Sequence, residues 1–196
     1  GAMGPDIAVG EGQSLGLPLS FGGPYLGIMT CRKKLIRQMP GRIVGRTEDC
    51  RGQTGYVLTI QAREQHIRRH KATSNICSNQ ALCALRSLLY MCLLGPEGMR
   101  RTAELSIERA HFAAGRFQEL DGVSLLNTGD FANEFAVRLP RNAFEAINKL
   151  LGKGYVPGFP LGRYYPGLED CLLVACTEKH SREDIGVMVE MVGGAL

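Results

Sequence analysis

Residues 10–33 read GEGQSLGLPLSFGGPYLGIMTCRK. Within residues 10–24 glycine stands at 10, 12, 16, 22 and 23, and proline at 18 and 24. Glycine at that density marks positive backbone φ or close approach of the chain to something else, so residues 10–24 read as a loop packed on a neighbour. The loop has neither G-x-G-x-x-G between a strand and a helix nor G-x-x-x-x-G-K-[ST], which argues against a mononucleotide site. Asp6–Val9 before it reads as a strand, and Tyr25–Cys31 after it as a buried strand. Lys33–Met39 follows as a short helix stopped by Pro40-Gly41. RIVGRT and GYVLTIQ are strand-like, and the polar stretch Glu48–Thr54 between them predicts a hairpin.

The next stretch outward is REQHIRRHKATSN, residues 63–75. Arg63, Arg68, Arg69 and Lys71 are cations, His66 and His70 are conditional ones, and Glu64 is the single acid. Thr73, Ser74 and Asn75 then precede an apolar helical run. A helix N-terminus offers free N–H groups and the positive end of the dipole, so hydroxyls and cations there favour phosphate or carboxylate. A plain N-cap beside a solvated basic turn explains the same residues. His66 and His70 would share a helical face, but no obvious third ligand accompanies them, so no metal is expected.

From about residue 74 the chain turns helical. Residues 76–94 carry apolar side chains at a helical period. Gly95-Pro96 breaks the run, and a second helix extends to about Leu120. Val123–Leu126 and Phe131–Leu139 read as strands. Asn142-x-x-Glu145 resembles a capping box opening a helix to Leu151. YVPGFPLGRYYPG (155–167) is aromatic, Pro/Gly-rich and irregular, and is expected to pack between domains. Cys171–Cys176 is a short apolar strand, and Ser181-x-x-Asp184 caps a last helix ending at Gly193-Gly194. The order predicts an α+β layer with helices on one face of a small sheet.

The 196 residues allow one good-sized domain or two small ones. A net charge of +4 permits an acidic partner without demanding nucleic acid. Basic and aromatic residues are not interleaved on a recognisable module, so no nucleic acid is expected. No apolar run nears the length of a membrane span, and no signal peptide is seen; the expectation is a cytoplasmic protein without a membrane. The seven cysteines form no C-x-x-C and are expected as buried, reduced thiols. Gly1–Met3 reads as a tag remnant, and the immediate strand after it as the start of a fragment.

The stretches 10–33, RQMPGRIVG (37–45) and QAREQHIRRHKATSNICSNQALCAL (61–85) together resemble the glycine cleavage system P-protein family, the pyridoxal-phosphate (PLP)-dependent glycine dehydrogenases (decarboxylating). Within that family they resemble the first subunit of the two-subunit bacterial form. The resemblance runs on through GPEGMR (95–100) to CLLVACTEKHSREDI (171–185). It implies an aspartate-aminotransferase-like fold, fold type I, with residues 4–74 closing the large domain and 75–196 forming the small C-terminal α+β domain. It implies glycine decarboxylation on PLP, with the aminomethyl group passed to the lipoyl H-protein, in a heterotetramer with subunit 2. In the catalytic subunit of such enzymes a His-Lys pair follows the strand matching Asp6–Val9, and that lysine forms the Schiff base. Gln13 and Ser14 occupy those positions here, and serine cannot form an imine. The strand CLLVAC also lacks the arginine by which related enzymes hold a substrate carboxylate.

The resemblance therefore implies that PLP is bound covalently by the partner, and that no catalytic residue lies on this chain. By analogy with relatives such as cysteine desulfurases, Thr73, with Ser74 and Asn75, reaches the phosphate of the partner's PLP. Arg63, His66, Arg68, Arg69 and Lys71 then support the interface. The alternatives are another fold-type-I enzyme related to desulfurases or aminotransferases, and a purely structural subunit. The isolated fragment is expected to be inactive, with an apolar seam that self-associates or is locally disordered within residues 1–60.

Overall fold

The computed structural model describes residues 3–40, 43–60, 69–71, 80–126 and 129–196. Its contacts divide the chain into two units, Gly1–Leu93 and Leu94–Leu196. The boundary expected at residues 74 and 75 lies outside the described residues.

The first unit holds two separate hairpins. Strands β1 (Ile7–Glu11) and β2 (Gly27–Cys31) pair antiparallel, Ile7 facing Cys31 and Glu11 facing Gly27. The glycine-rich loop joins them. Lys33–Gln38 forms a 3₁₀ helix rather than a regular α-helix. Strands β3 (Val44–Glu48) and β4 (Thr54–Leu58) make the second hairpin, with Val44 facing Leu58. Its turn is closed by Asp49, whose Oδ1 accepts the N–H groups of Arg51 and Gln53, both at 2.8 Å. The expectation that Tyr25–Cys31 is a buried strand needs correction. The strand forms over Gly27–Cys31 only, and its residues are exposed except for half-buried Cys31. Its apolar alternation has no covering layer among the described residues, and a two-stranded sheet alone buries little.

Helix α1 spans Ala81–Gln118 and is interrupted at Gly95, where φ is 64° and ψ is 179°. Pro96 follows at once, and its missing N–H suits a first helical turn. Gln80 O accepts the first helical bond from Ala84 N–H at 2.8 Å.

The second unit builds a sheet in the order β5 (Ser124–Leu125), β6 (Glu134–Arg138), β8 (Cys171–Ala175), β7 (Phe159–Pro160), antiparallel throughout. Phe135 and Val137 of β6 with Leu139 just after it, and Leu172 and Val174 of β8 with Cys176 just after it, belong to one buried cluster. Their spacing of two sends them to one face. Against that face lie Ala110, Ala113, Ala114 and Phe117 of α1, spaced as a helical stripe. Helices α2 (Ala143–Leu151) and α3 (Arg182–Gly193) add Ala146, Ile147, Leu150, Ile185, Val189 and Val192. Phe117 meets Phe135 edge-on with centroids 6.0 Å apart, a pairing worth ~0.5–1.5 kcal/mol beyond area burial. Helices on one face of a small sheet is the expected layer.

Both caps are local. Asn142 Oδ1 accepts from Phe144 N–H at 2.9 Å and from Glu145 N–H at 3.4 Å. Ser181 and Asp184 form a complete capping box on α3. The irregular stretch 155–167 contains two elements that its sequence does not announce: β7 and a 3₁₀ turn at Leu161–Arg163. No helix among the described residues is long and apolar enough to cross a membrane.

Candidate functional site

The loop carrying Gln13 and Ser14 is a tight turn fixed at both ends. Gly12 N–H donates to Leu26 O at 2.7 Å, and Leu26 N–H returns a bond to Glu11 Oε1 at 2.7 Å. Within the turn, Leu15 N–H reaches Gly12 O and Leu17 N–H reaches Gln13 O. The Gln13 side chain is consumed locally, its Nε2 donating to Leu17 O at 2.8 Å. Leu17 is buried beneath.

The first half of α1 holds this turn from outside. Arg86 Nε donates to Gly16 O at 2.7 Å. Gly16 has φ +83°, and a Cβ there would lie 2.8 Å from Tyr90 Cβ, so the loop lies flat on Tyr90 because residue 16 has no side chain. Arg86 is a residue that sequence reasoning missed. It lies 70 positions from its partner, and no local pattern marks it.

The donor set of the turn is an amide and a hydroxyl. Neither forms an imine, so a Schiff base to PLP does not fit at residues 13 and 14. Of the lysines just beyond, Lys34 is paired with Asp6 at 3.0 Å, and Arg32 shares that carboxylate at 3.4 Å.

Of the basic stretch, Arg69, His70 and Lys71 form an exposed 3₁₀ turn. Thr73, Ser74, Asn75, Arg63, His66 and Arg68 lie outside the described residues. Strand β8 carries no arginine. The nearest cation along the ladder is Arg138 of β6, which donates to Asp170 at 3.2 Å and so is already neutralised.

Burial pushes the Cys171 thiol up to about 11, helped by its hydrogen bond to Asp170 Oδ1 at 3.2 Å. Burial also raises Cys176. Both are therefore protonated, structural thiols at neutral pH, whereas Cys50 and Cys92 are exposed.

Solved structures place the fold. A complex of the cystine C-S lyase C-DES with cysteine persulfide superposes with a TM-score of 0.54 at 14% identity, over 88% of this chain and 43% of the other. At that identity only the fold is shared, and it is the fold type I of PLP-dependent enzymes. A crystal structure of glycine decarboxylase (P-protein) of the glycine cleavage system, in inhibitor-bound form, superposes with a TM-score of 0.90 at 44% identity, over 100% of this chain and 44% of that one. The probable glycine dehydrogenase (decarboxylating) subunit 1 of Nitratidesulfovibrio vulgaris (strain DP4) is 70% identical over all 196 residues. The model of the glycine cleavage system P-protein family matches residues 1–192, and the chain belongs to that family. Residues 1–3, read above as a tag remnant, lie inside both matches. The chain spans 44% of the length of the curated relatives it matches.

Proposed function

We propose that this chain is part of subunit 1 of a two-subunit glycine dehydrogenase (decarboxylating), in which PLP is held covalently by subunit 2. The reading is supported by 70% identity to a curated subunit 1 over all 196 residues of this chain, 44% of that relative's length, together with Gln13-Ser14 at the positions that the resemblance assigns to the Schiff-base lysine. PLP, when bound, supplies the electron sink for decarboxylation of glycine, and lipoyl H-protein accepts the aminomethyl group. The contribution of this chain is positional. Residues 4–74 belong to the large domain and 75–196 to the small one. Arg86 and Tyr90 hold the turn that lacks the lysine. Thr73, Ser74 and Asn75 donate to the phosphate of the cofactor on subunit 2, while Arg63, His66, Arg68, Arg69 and Lys71 support that interface. The complex works in the cytoplasm.

The test uses full-length subunit 1 with subunit 2 and lipoylated H-protein, reading glycine-dependent exchange of labelled bicarbonate. Exchange is expected only with both subunits present. Thr73→Ala is expected to weaken PLP binding to the complex about tenfold, the loss of one hydrogen bond to a charged group. Unchanged PLP affinity and turnover would sink the phosphate contact and leave subunit 1 as a scaffold.

A further inference from the structure

We draw no further inference here: the strongest candidate, the exposed Leu19–Phe21 tip of the glycine-rich loop, where Ser20 and Phe21 hold positive φ and Phe21 is fully exposed, is an apolar surface patch, and nothing in the structure shows what covers it.

Discussion

At the scale of single residues, Gly158 directly precedes β7 and lies hard against β8. A Cβ at this position would lie 2.3 Å from Leu173 O and 3.0 Å from Leu172 Cγ. The first clash is with backbone, which cannot rotate aside, so Gly158→Ala must pry the edge strand off the sheet. Overpacking of this kind costs about 1–3 kcal/mol. A urea melt followed by far-UV circular dichroism should show the midpoint falling accordingly, and an unchanged midpoint would mean that β7 contributes nothing to stability. The cysteines give a second test. Iodoacetamide at pH 8 should modify exposed Cys50 and Cys92 in the native chain and spare buried Cys171 and Cys176, as read by peptide mass spectrometry. Cys171 is raised from 9.0 to about 11 in the fold. A raised acid favours the folded state while it keeps its proton. That stabilisation is complete below pH ~9 and is lost as pH climbs through about 11, at most ~2–3 kcal/mol. Cys171→Ala should therefore show a shallower fall of stability between pH 9 and 11 than the parent chain. Equal slopes would show that other groups cause the alkaline loss.

At the scale of elements, the capping box of α3 makes a prediction with a sign. Ser181 Oγ accepts from Asp184 N–H at 3.0 Å, and Asp184 Oδ2 accepts from Ser181 N–H at 3.1 Å. Ser181→Ala should cost about 1 kcal/mol, the usual worth of an N-cap. The side-chain bond from Ser181, and then its backbone N–H, hold the Asp184 carboxyl below its ordinary 3.8. A depressed acid stabilises the fold above its unfolded value and stops doing so as pH falls through the lower folded value. The difference between parent and Ser181→Ala should thus shrink below pH ~4, and a difference independent of pH would count against the reciprocal bond. This cap was legible in the sequence because every atom in it lies within four residues. The same holds for the hairpin turn at Asp49 and for the break at Gly95-Pro96. The exposure of β2 was not legible, because the apolar alternation of GIMTC states what the strand would bury and not whether a layer is present to bury it. Strand β7 escaped notice because two residues, one of them proline, make no periodic signal. At the candidate site, that residues 13 and 14 offer an amide and a hydroxyl and no amine could be read directly, while their match to a Schiff-base position rests on the resemblance alone. Arg86, which fixes that turn, could not be read, because its partner is a backbone carbonyl supplied by the tertiary fold.

At the scale of the molecule, the two units differ in how they satisfy their apolar residues. The second encloses a continuous core from Ala110 to Ala195. The first leaves Ile7, Val9, Ile28 and Met29 of one hairpin exposed, with Val44, Tyr56, Val57 and Leu58 of the other. Leu82, Leu85, Leu88, Leu89 and Leu93 of α1 are exposed as well. Arg86 is the single charge among residues 81–94. A helix apolar on nearly every side belongs inside a protein rather than in water, and contiguous exposed apolar area of this kind drives association. The chain on its own is therefore expected to self-associate. Sedimentation velocity should show a monomer fraction that falls with concentration, and the double change Leu85→Glu with Leu89→Glu should restore monomer without lowering the stability of the second unit. Hydrogen exchange adds a separate reading, with slow amides in β6, β8, α2, α3 and the second half of α1, and fast ones in β1 to β4. A monodisperse monomer with protected amides throughout β1 to β4 would show that the first unit is self-sufficient. In the proposed pairing of the full-length subunit with subunit 2, the same leucine changes should instead reduce assembly, read as a loss of the complex in sedimentation velocity.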